Sequence, residues 1–302
     1  MKFNSVLDCV GSTPCLEVSL ENGVVFAKAE FMNPGGSIKD RIVARIVRQA
    51  EESGRLYRGM KVAEATSGNT GISLAMAGAA NGYDVTIFMP ETASLERRNM
   101  LKLLGATVEL TPAEDSVGGA VAALEQFKVA YPDVFVVNQF VNKENIAAHY
   151  YGTGTEIWDD LNGRIDCFVS GIGSGGTLMG VGSFLKEQAS HVTVFAAEPK
   201  GASALLGHTE GHHCIEGIGD GFLPEIVDPN LVDGIFEISD ADAIDQALRL
   251  AQTHGVPVGL SSGANLVAAN RILAEHPDWN VVTILPDRAE RYFSTPMFSR
   301  VA

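Results

Sequence analysis

Basic residues are scarce in this chain: 22 Lys and Arg stand against 37 Asp and Glu, a formal net charge of −15 over 302 residues. So acidic a surface repels phosphate backbones and anionic headgroups, which argues against nucleic acid and membrane surfaces as partners. Also missing are any apolar run near the ~20 residues that cross a bilayer and any charged-then-apolar leader; the expectation is an unprocessed cytoplasmic protein. Cysteine is sparse. Cys9, Cys15, Cys167 and Cys214 show neither Cys-x-x-Cys spacing nor a dense framework, so reduced thiols rather than structural disulfides are expected. His208, His212, His213 and Cys214 offer ligating atoms, but they share one Gly-rich stretch with no second cluster, and no metal site is expected. Repeats, low-complexity tracts and coiled-coil heptads are absent as well.

What is plentiful is glycine, 32 residues, mostly at the ends of apolar runs, where backbones turn or approach ligands. Apolar periodicity predicts strands at 61–65, 85–89, 107–110, 134–137, 167–170, 192–197, 235–238, 256–260 and 281–285. Helical patterns stand between them, at 72–80, 94–104, 117–131, 145–161, 241–254 and a last helix ending near 274. Strands separated by helices imply parallel sheets covered on both faces, an α/β protein. The long helical stretch at 145–161 divides two such series, which places a soft domain boundary near His149. Residues 200–230 show little periodicity, and a long irregular stretch inside a compact domain is usually functional.

Three loops carry the chemistry. The first is Asn33-Pro34-Gly35-Gly36-Ser37-Ile38-Lys39-Asp40-Arg41. Turn residues followed by Ser-x-x-Asp predict a capping box and a helix start, with Ile42, Val43, Ile46, Val47 and Ala50 on one face. Lys39 then lies in the first turn, where the helix dipole and burial both disfavour an ammonium and leave an amine able to attack a carbonyl. Taken alone, a solvated lysine explains the same position.

The second loop, Thr66-Ser67-Gly68-Asn69-Thr70-Gly71, joins a strand to a helix and presents hydroxyls, an amide and backbone N–H groups to an anion. A plain helix cap is the competing explanation. Gln139, just past the strand at 134–137, lies where parallel sheets bind ligands.

The third loop is Gly171-Ile172-Gly173-Ser174-Gly175-Gly176-Thr177, a Gly-x-Gly-x-x-Gly between strand and helix, with Glu198 ending the next strand. That spacing suits a nicotinamide dehydrogenase, whose ribose-binding acid stands ~20 residues on. Ser174 and Thr177 add hydroxyls that suit a terminal phosphate monoester instead. The fingerprint does not choose between them, and a non-catalytic anion-binding module is a third option.

Asn33 to Arg41, Thr66 to Gly71, Gly173 to Thr177 and Gly259 to Gly263, in this order, resemble the cysteine synthase and cystathionine β-synthase family of pyridoxal-phosphate enzymes. The likeness runs along essentially the whole chain. It implies fold type II: two domains, each a mostly parallel twisted sheet flanked by helices. Residues 1–34 and 149–302 would form the larger domain with the cofactor phosphate loop; residues 35–148 would form the smaller, with the Schiff-base lysine and substrate carboxylate loop.

By the same matching the cofactor is pyridoxal 5′-phosphate. Lys39 would be the Schiff-base and catalytic lysine, and Gly173, Ser174, Gly175, Gly176 and Thr177 would surround the phosphate. Asn69 would contact the ring hydroxyl and Ser261 the pyridine nitrogen. Thr66, Ser67, Gly68, Asn69, Thr70 and Gln139 would hold the substrate carboxylate, with Gly217 and Asp220 on the substrate side. The implied reaction is β-replacement on an O-activated serine such as O-acetylserine, with sulfide giving cysteine.

Within the family the motifs diverge. Met89-Pro90, 94–98, His149-Tyr150 and 156–158 resemble B-type cysteine synthases, whereas 216–222 resembles the loop of A-type enzymes and cystathionine synthases, with Asp220 at a position usually small. An acid there opens an alternative: homocysteine, a second cysteine or water in place of sulfide, with release of hydrogen sulfide. An exposed loop carboxylate is the plainer explanation of Asp220. A homodimer is implied by the resemblance, and docking of a serine acetyltransferase is left open by it.

Overall fold

Nearly continuous apolar runs form the strands of this computed structural model, which describes residues 2–208 and 211–295, and they gather into two separate sheets. Each sheet is the centre of its own compact unit. One unit comprises residues 2–10, 33–139 and 291–295; the other comprises Gly11–Met32 and Phe140–Glu290.

The smaller unit holds four parallel strands, β3 (Lys61–Ala65), β4 (Asp84–Pro90), β5 (Thr107–Thr111) and β6 (Phe135–Val136), in the order β5-β4-β3-β6. Its helices are α1 (Lys39–Glu52), α2 (Asn69–Asn81), α3 (Leu95–Leu103) and α4 (Ser116–Ala130). Ala120 and Leu124 of α4 pack on Ala63, Ala65 and Phe88, and Phe127 meets the Phe88 ring edge-on with centroids 5.4 Å apart. Burial of this apolar face gives the sheet its stability, at roughly 25 cal/mol per Å² removed from water.

In the larger unit a hairpin precedes the parallel series. Strands β1 (Cys15–Leu20) and β2 (Gly23–Lys28) pair antiparallel, joined through Glu21 and Asn22. The parallel strands that extend it are β7 (Cys167–Gly171), β8 (Thr193–Pro199), β9 (Gly234–Ile238) and β10 (Val281–Ile284), in the order β1-β2-β10-β7-β8-β9. The sheet is covered by helices α5 (Lys143–Ala148), α6 (Thr155–Asp160), α7 (Gly176–Gln188), α8 (Asp240–His254) and α9 (Leu260–Glu275). A buried Lys28 crosses from β2 to this helical layer, with Nζ 3.0 Å from Glu156 and 2.8 Å from Asp160.

Three expectations need correction. Ser37 and Asp40 do not form a reciprocal capping box: Asp40 instead accepts from the Gly35 N–H at 2.7 Å and from the Ser73 hydroxyl at 2.5 Å. Residues 256–260 are not a strand; only Val258 bridges, to Arg288, because Pro257 has no N–H to donate and α9 begins at Leu260. The helical stretch expected at 145–161 is present, with a π-helical segment, His149–Gly154, between α5 and α6. The units part after Gln139 rather than near His149, since α5 packs on α7. Residues 2–10 and 291–295 join the smaller unit because 6–9 pack on α2 and Ser294 bonds to Leu95 and Glu96.

Candidate active site

Strand order creates a crevice in each sheet. In the smaller unit the chain passes from β3 to β4 and β5 on one side and returns to β6 on the other. The C-terminal ends of β3 and β6 therefore flank a topological switch point, where open parallel sheets bind ligands. Thr66 to Thr70 leave β3 there and Gln139 follows β6. The two meet directly, since the Thr70 hydroxyl donates to Gln139 Oε1 at 2.8 Å.

Glu64, at the end of β3, fixes this turn from below. Its carboxylate accepts from the Asn138 N–H at 2.8 Å, and Asn138 itself sits at φ +53. Burial pushes the Glu64 carboxyl up to about 7, against the backbone donors that pull it down. Thr66 Oγ1 accepts from the Gly68 N–H at 3.1 Å, folding the loop over the start of α2, where Ser67 and Asn69 are half-buried.

Lys39 begins α1 beside this loop. Asp40 ties α1 to α2 through Ser73, and it holds the Gly35 N–H; a Cβ on Gly35 would lie only 2.5 Å from Asp40 Oδ1. Arg291 adds a second tie, its guanidinium donating to Asn69 Oδ1 and to the Gly35 carbonyl. The lysine helix and the Asn69 loop thus form one constellation within this unit.

The larger unit has its own switch point, between β7 and β10. Asn265 of α9 spans it, accepting from the Gly171 N–H and donating to the Ile284 carbonyl, each at 2.8 Å. Ser261 is one turn earlier on the same face of α9 and is buried. From Gly171 the chain enters the glycine loop and then α7, whose first N–H groups supply donors for an anion.

The loop leaves no room for side chains. A Cβ on Gly173 would lie 2.3 Å from the Gly217 carbonyl oxygen, and one on Gly176 would lie 1.8 Å from Asn145 Oδ1; Gly175 sits at φ +86. The hydroxyls are oriented from α5 and the π turn: Asn145 Nδ2 donates to Ser174 Oγ at 2.9 Å, and His149 Nε2 lies 3.3 Å from Thr177 Oγ1. Backbone donors at a helix start plus two braced hydroxyls fit a phosphate monoester.

Glu198 decides against the dinucleotide alternative. Its buried carboxylate accepts from Ser203 Oγ at 2.5 Å, Ala204 N at 3.0 Å and Leu205 N at 3.4 Å, so it closes its own loop rather than facing a ribose. The irregular stretch that follows folds back on the glycine loop. Gly219 donates to the Ile172 carbonyl at 3.0 Å, and Asp220 Oδ2 would be 3.9 Å from a Cβ on Gly173. Of the histidines considered as ligands, His208 pairs with Glu237 at 3.0 Å and His213 bonds the Gly219 carbonyl at 2.9 Å.

Asn145, Asn265, Glu64 and Arg291 were not singled out by sequence reasoning. Glu64 directly precedes the second loop's motif, whereas Arg291 closes the charged run Asp287-Arg288-Ala289-Glu290-Arg291, which marks none of its members.

A helix-start lysine tied to an anion loop, and a glycine cradle at a second switch point, define an α/β enzyme built for a phosphorylated cofactor. The chain belongs to the pyridoxal-phosphate dependent enzyme family, whose model matches residues 6–287. It is 42% identical over 294 residues to cysteine synthase B of Campylobacter jejuni, covering 97% of this chain and 98% of that protein. Among solved structures, the cysteine synthase of Entamoeba histolytica superposes with a TM-score of 0.94 at 38% identity, covering 99% of this chain and 91% of that one. A hydrogen sulfide-producing enzyme of Fusobacterium nucleatum superposes with a TM-score of 0.91 at 38% identity, covering 96% and 90%. Membership and fold agree with the resemblance carried by the four motifs, and with pyridoxal phosphate as cofactor.

Proposed function

We propose that this enzyme makes L-cysteine by β-replacement, exchanging the activated oxygen substituent of O-acetylserine for sulfide. The observation that supports the reading is the tie between the helix that Lys39 opens and the helix that follows the Asn69 loop; a lysine amine beside a helix start suited to a carboxylate is what the reaction needs. The 42% identity to a cysteine synthase along nearly the whole chain supports the choice of substrates.

Bound pyridoxal phosphate supplies an electron sink for negative charge at the amino acid's α-carbon. Ser174, Thr177 and the N–H groups of the Gly173–Gly176 loop would hold its phosphate. Ser261 would offer the ring nitrogen a neutral hydroxyl rather than a carboxylate, so that the bound cofactor would be a moderate electron sink. Asn69 would donate to the ring oxygen. Thr66, Ser67, Gly68, Thr70 and Gln139 hold the substrate carboxylate. Lys39 would hold the cofactor, and with substrate bound its Nζ would take the α-proton as acetate leaves and return it after sulfide adds at the β-carbon.

A cytoplasmic location is proposed from the sparse, unpatterned cysteines of the sequence. A homodimer is proposed by likeness to the family, and a serine acetyltransferase is a further partner to be tested by co-purification.

A second reading has its own support. Asp220 is half-buried, with Oδ2 3.9 Å from where a Cβ on Gly173 would lie, and a carboxylate there would favour an incoming amino acid thiol or water over hydrosulfide. Cystathionine formation or release of hydrogen sulfide from cysteine would follow. Steady-state turnover with O-acetylserine plus sulfide, compared with cysteine alone and cysteine plus homocysteine, separates the two. The first reading requires the first pair to be fastest. Borohydride reduction must fix the cofactor on Lys39; a colourless protein that binds a nicotinamide cofactor would end both.

A further inference from the structure

We propose that Arg291 is a positioning residue that fixes which way the Asn69 amide faces. A guanidinium has five donors and no acceptor, so the atom of Asn69 that meets it is the oxygen, Oδ1. The amide group cannot then flip without setting N–H against N–H. With Oδ1 on the guanidinium, the donating Nδ2 side is turned to the opposite edge, the orientation a donor to the cofactor's ring oxygen requires. This role rests on the pyridoxal-phosphate reading given above.

Arg291 is itself held in place. Ser94, the N-cap of α3, donates to the Arg291 carbonyl at 2.7 Å, and Leu95 N donates to Ser294 Oγ at 3.2 Å. The next residue, Tyr292, is fully buried and carries the Arg97 guanidinium 4.7 Å over its ring. Arg97 in turn packs on the loop, with Nε 2.5 Å from where a Cβ on Gly68 would be. The second arm of the Arg291 fork takes the Gly35 carbonyl, whose own N–H is held by Asp40. One planar cation therefore sets both the turn ahead of Lys39 and the first residue of α2. Lysine, a point charge without the fork, cannot do both.

The test compares parent, Arg291→Met, Arg291→Lys, Asn69→Ala and the Arg291→Met/Asn69→Ala double variant, all reconstituted with pyridoxal phosphate. The readout is the pH midpoint of the bound cofactor's absorbance, with apoprotein melting temperature as a control. Loss of one ordinary hydrogen bond to the ring oxygen corresponds to a midpoint shift of about one pH unit. Arg291→Met should shift it as Asn69→Ala does, the double variant no further, and Arg291→Lys by less. Should Arg291→Met not fold, Arg291→Lys alone and combined with Asn69→Ala carries the same comparison. Shifts that add in the double variant would overturn the proposal, because Arg291 would then act independently of Asn69. A lowered melting temperature with a parent-like midpoint overturns it too, as mere structural support. A parent that takes up no pyridoxal phosphate is a different result: it overturns the functional reading, and this role with it.

Discussion

The Thr70 hydroxyl donates to Gln139 Oε1 at 2.8 Å, joining a helix start after β3 to a residue three positions past β6. With its oxygen accepting there, the Gln139 amide presents its nitrogen as the donating side. Gln139→Glu keeps an acceptor for Thr70, removes the donor and adds a negative charge. KM for O-acetylserine should rise by at least about tenfold, equivalent to ~1.4 kcal/mol, while the cofactor spectrum stays that of the parent. An unchanged KM would remove Gln139 from the carboxylate site.

Glu64 makes stability depend on pH. Its carboxyl is raised from 4.5 to about 7 by burial, so the folded state holds the proton more tightly than the unfolded chain. The resulting stabilisation is complete below pH 4.5 and is lost as pH rises through 7. Glu64→Gln cannot ionise, so relative to the parent it should gain up to about 3 kcal/mol between about pH 4.5 and pH 8. Denaturant unfolding of both proteins across that range is the measurement; a constant difference would show that Glu64 stays ionised.

Ser261→Asp places a carboxylate on the first turn of α9. If Ser261 meets the pyridine nitrogen, that nitrogen becomes protonated and the electron sink deepens. The bound cofactor's absorbance should change, and β-replacement should fall by at least about tenfold, ~1.4 kcal/mol in the barrier. Parent-like absorbance and turnover would place Ser261 away from the ring.

If the second reading holds, Asp220 acts on the second nucleophile and not on the first half-reaction. Asp220→Ala should raise the ratio of sulfide-consuming synthesis to sulfide release from cysteine, because it removes a charge that repels hydrosulfide. A close charge-assisted hydrogen bond to an incoming ammonium is worth about 1.5–3 kcal/mol, so the ratio should move roughly tenfold or more. The spectral change on adding O-acetylserine alone should be that of the parent. If the ratio is constant, Asp220 is a solvated loop acid and plain cysteine synthesis is the stronger reading.

The amino-acid sequence by itself determined the local features. Alternating apolar runs specified all the parallel strands and most helices, because burial pattern and turn residues act between neighbours along the chain. It also carried the motif around Lys39, the Thr66 to Gly71 loop and the glycine loop, each a contiguous stretch. Local reasoning failed where a distant partner won. Asp40 left its expected capping role for Gly35 and for Ser73 of α2, and the run at 256–260 turned into α9 as the Gly259 N–H was taken by the Asp287 carbonyl. The β1–β2 hairpin was not read from the sequence either.

Only the tertiary structure decided the strand order, and with it the switch points that bring Gln139 to Thr70 and Asn265 between Gly171 and Ile284. Arg291 reaches Gly35 and Asn69 from the far end of the chain by the same means. The physical reason is that hydrogen bonds between strands, and between a buried guanidinium and its acceptors, join residues hundreds of positions apart, whereas periodicity records only which side of its own element each residue faces.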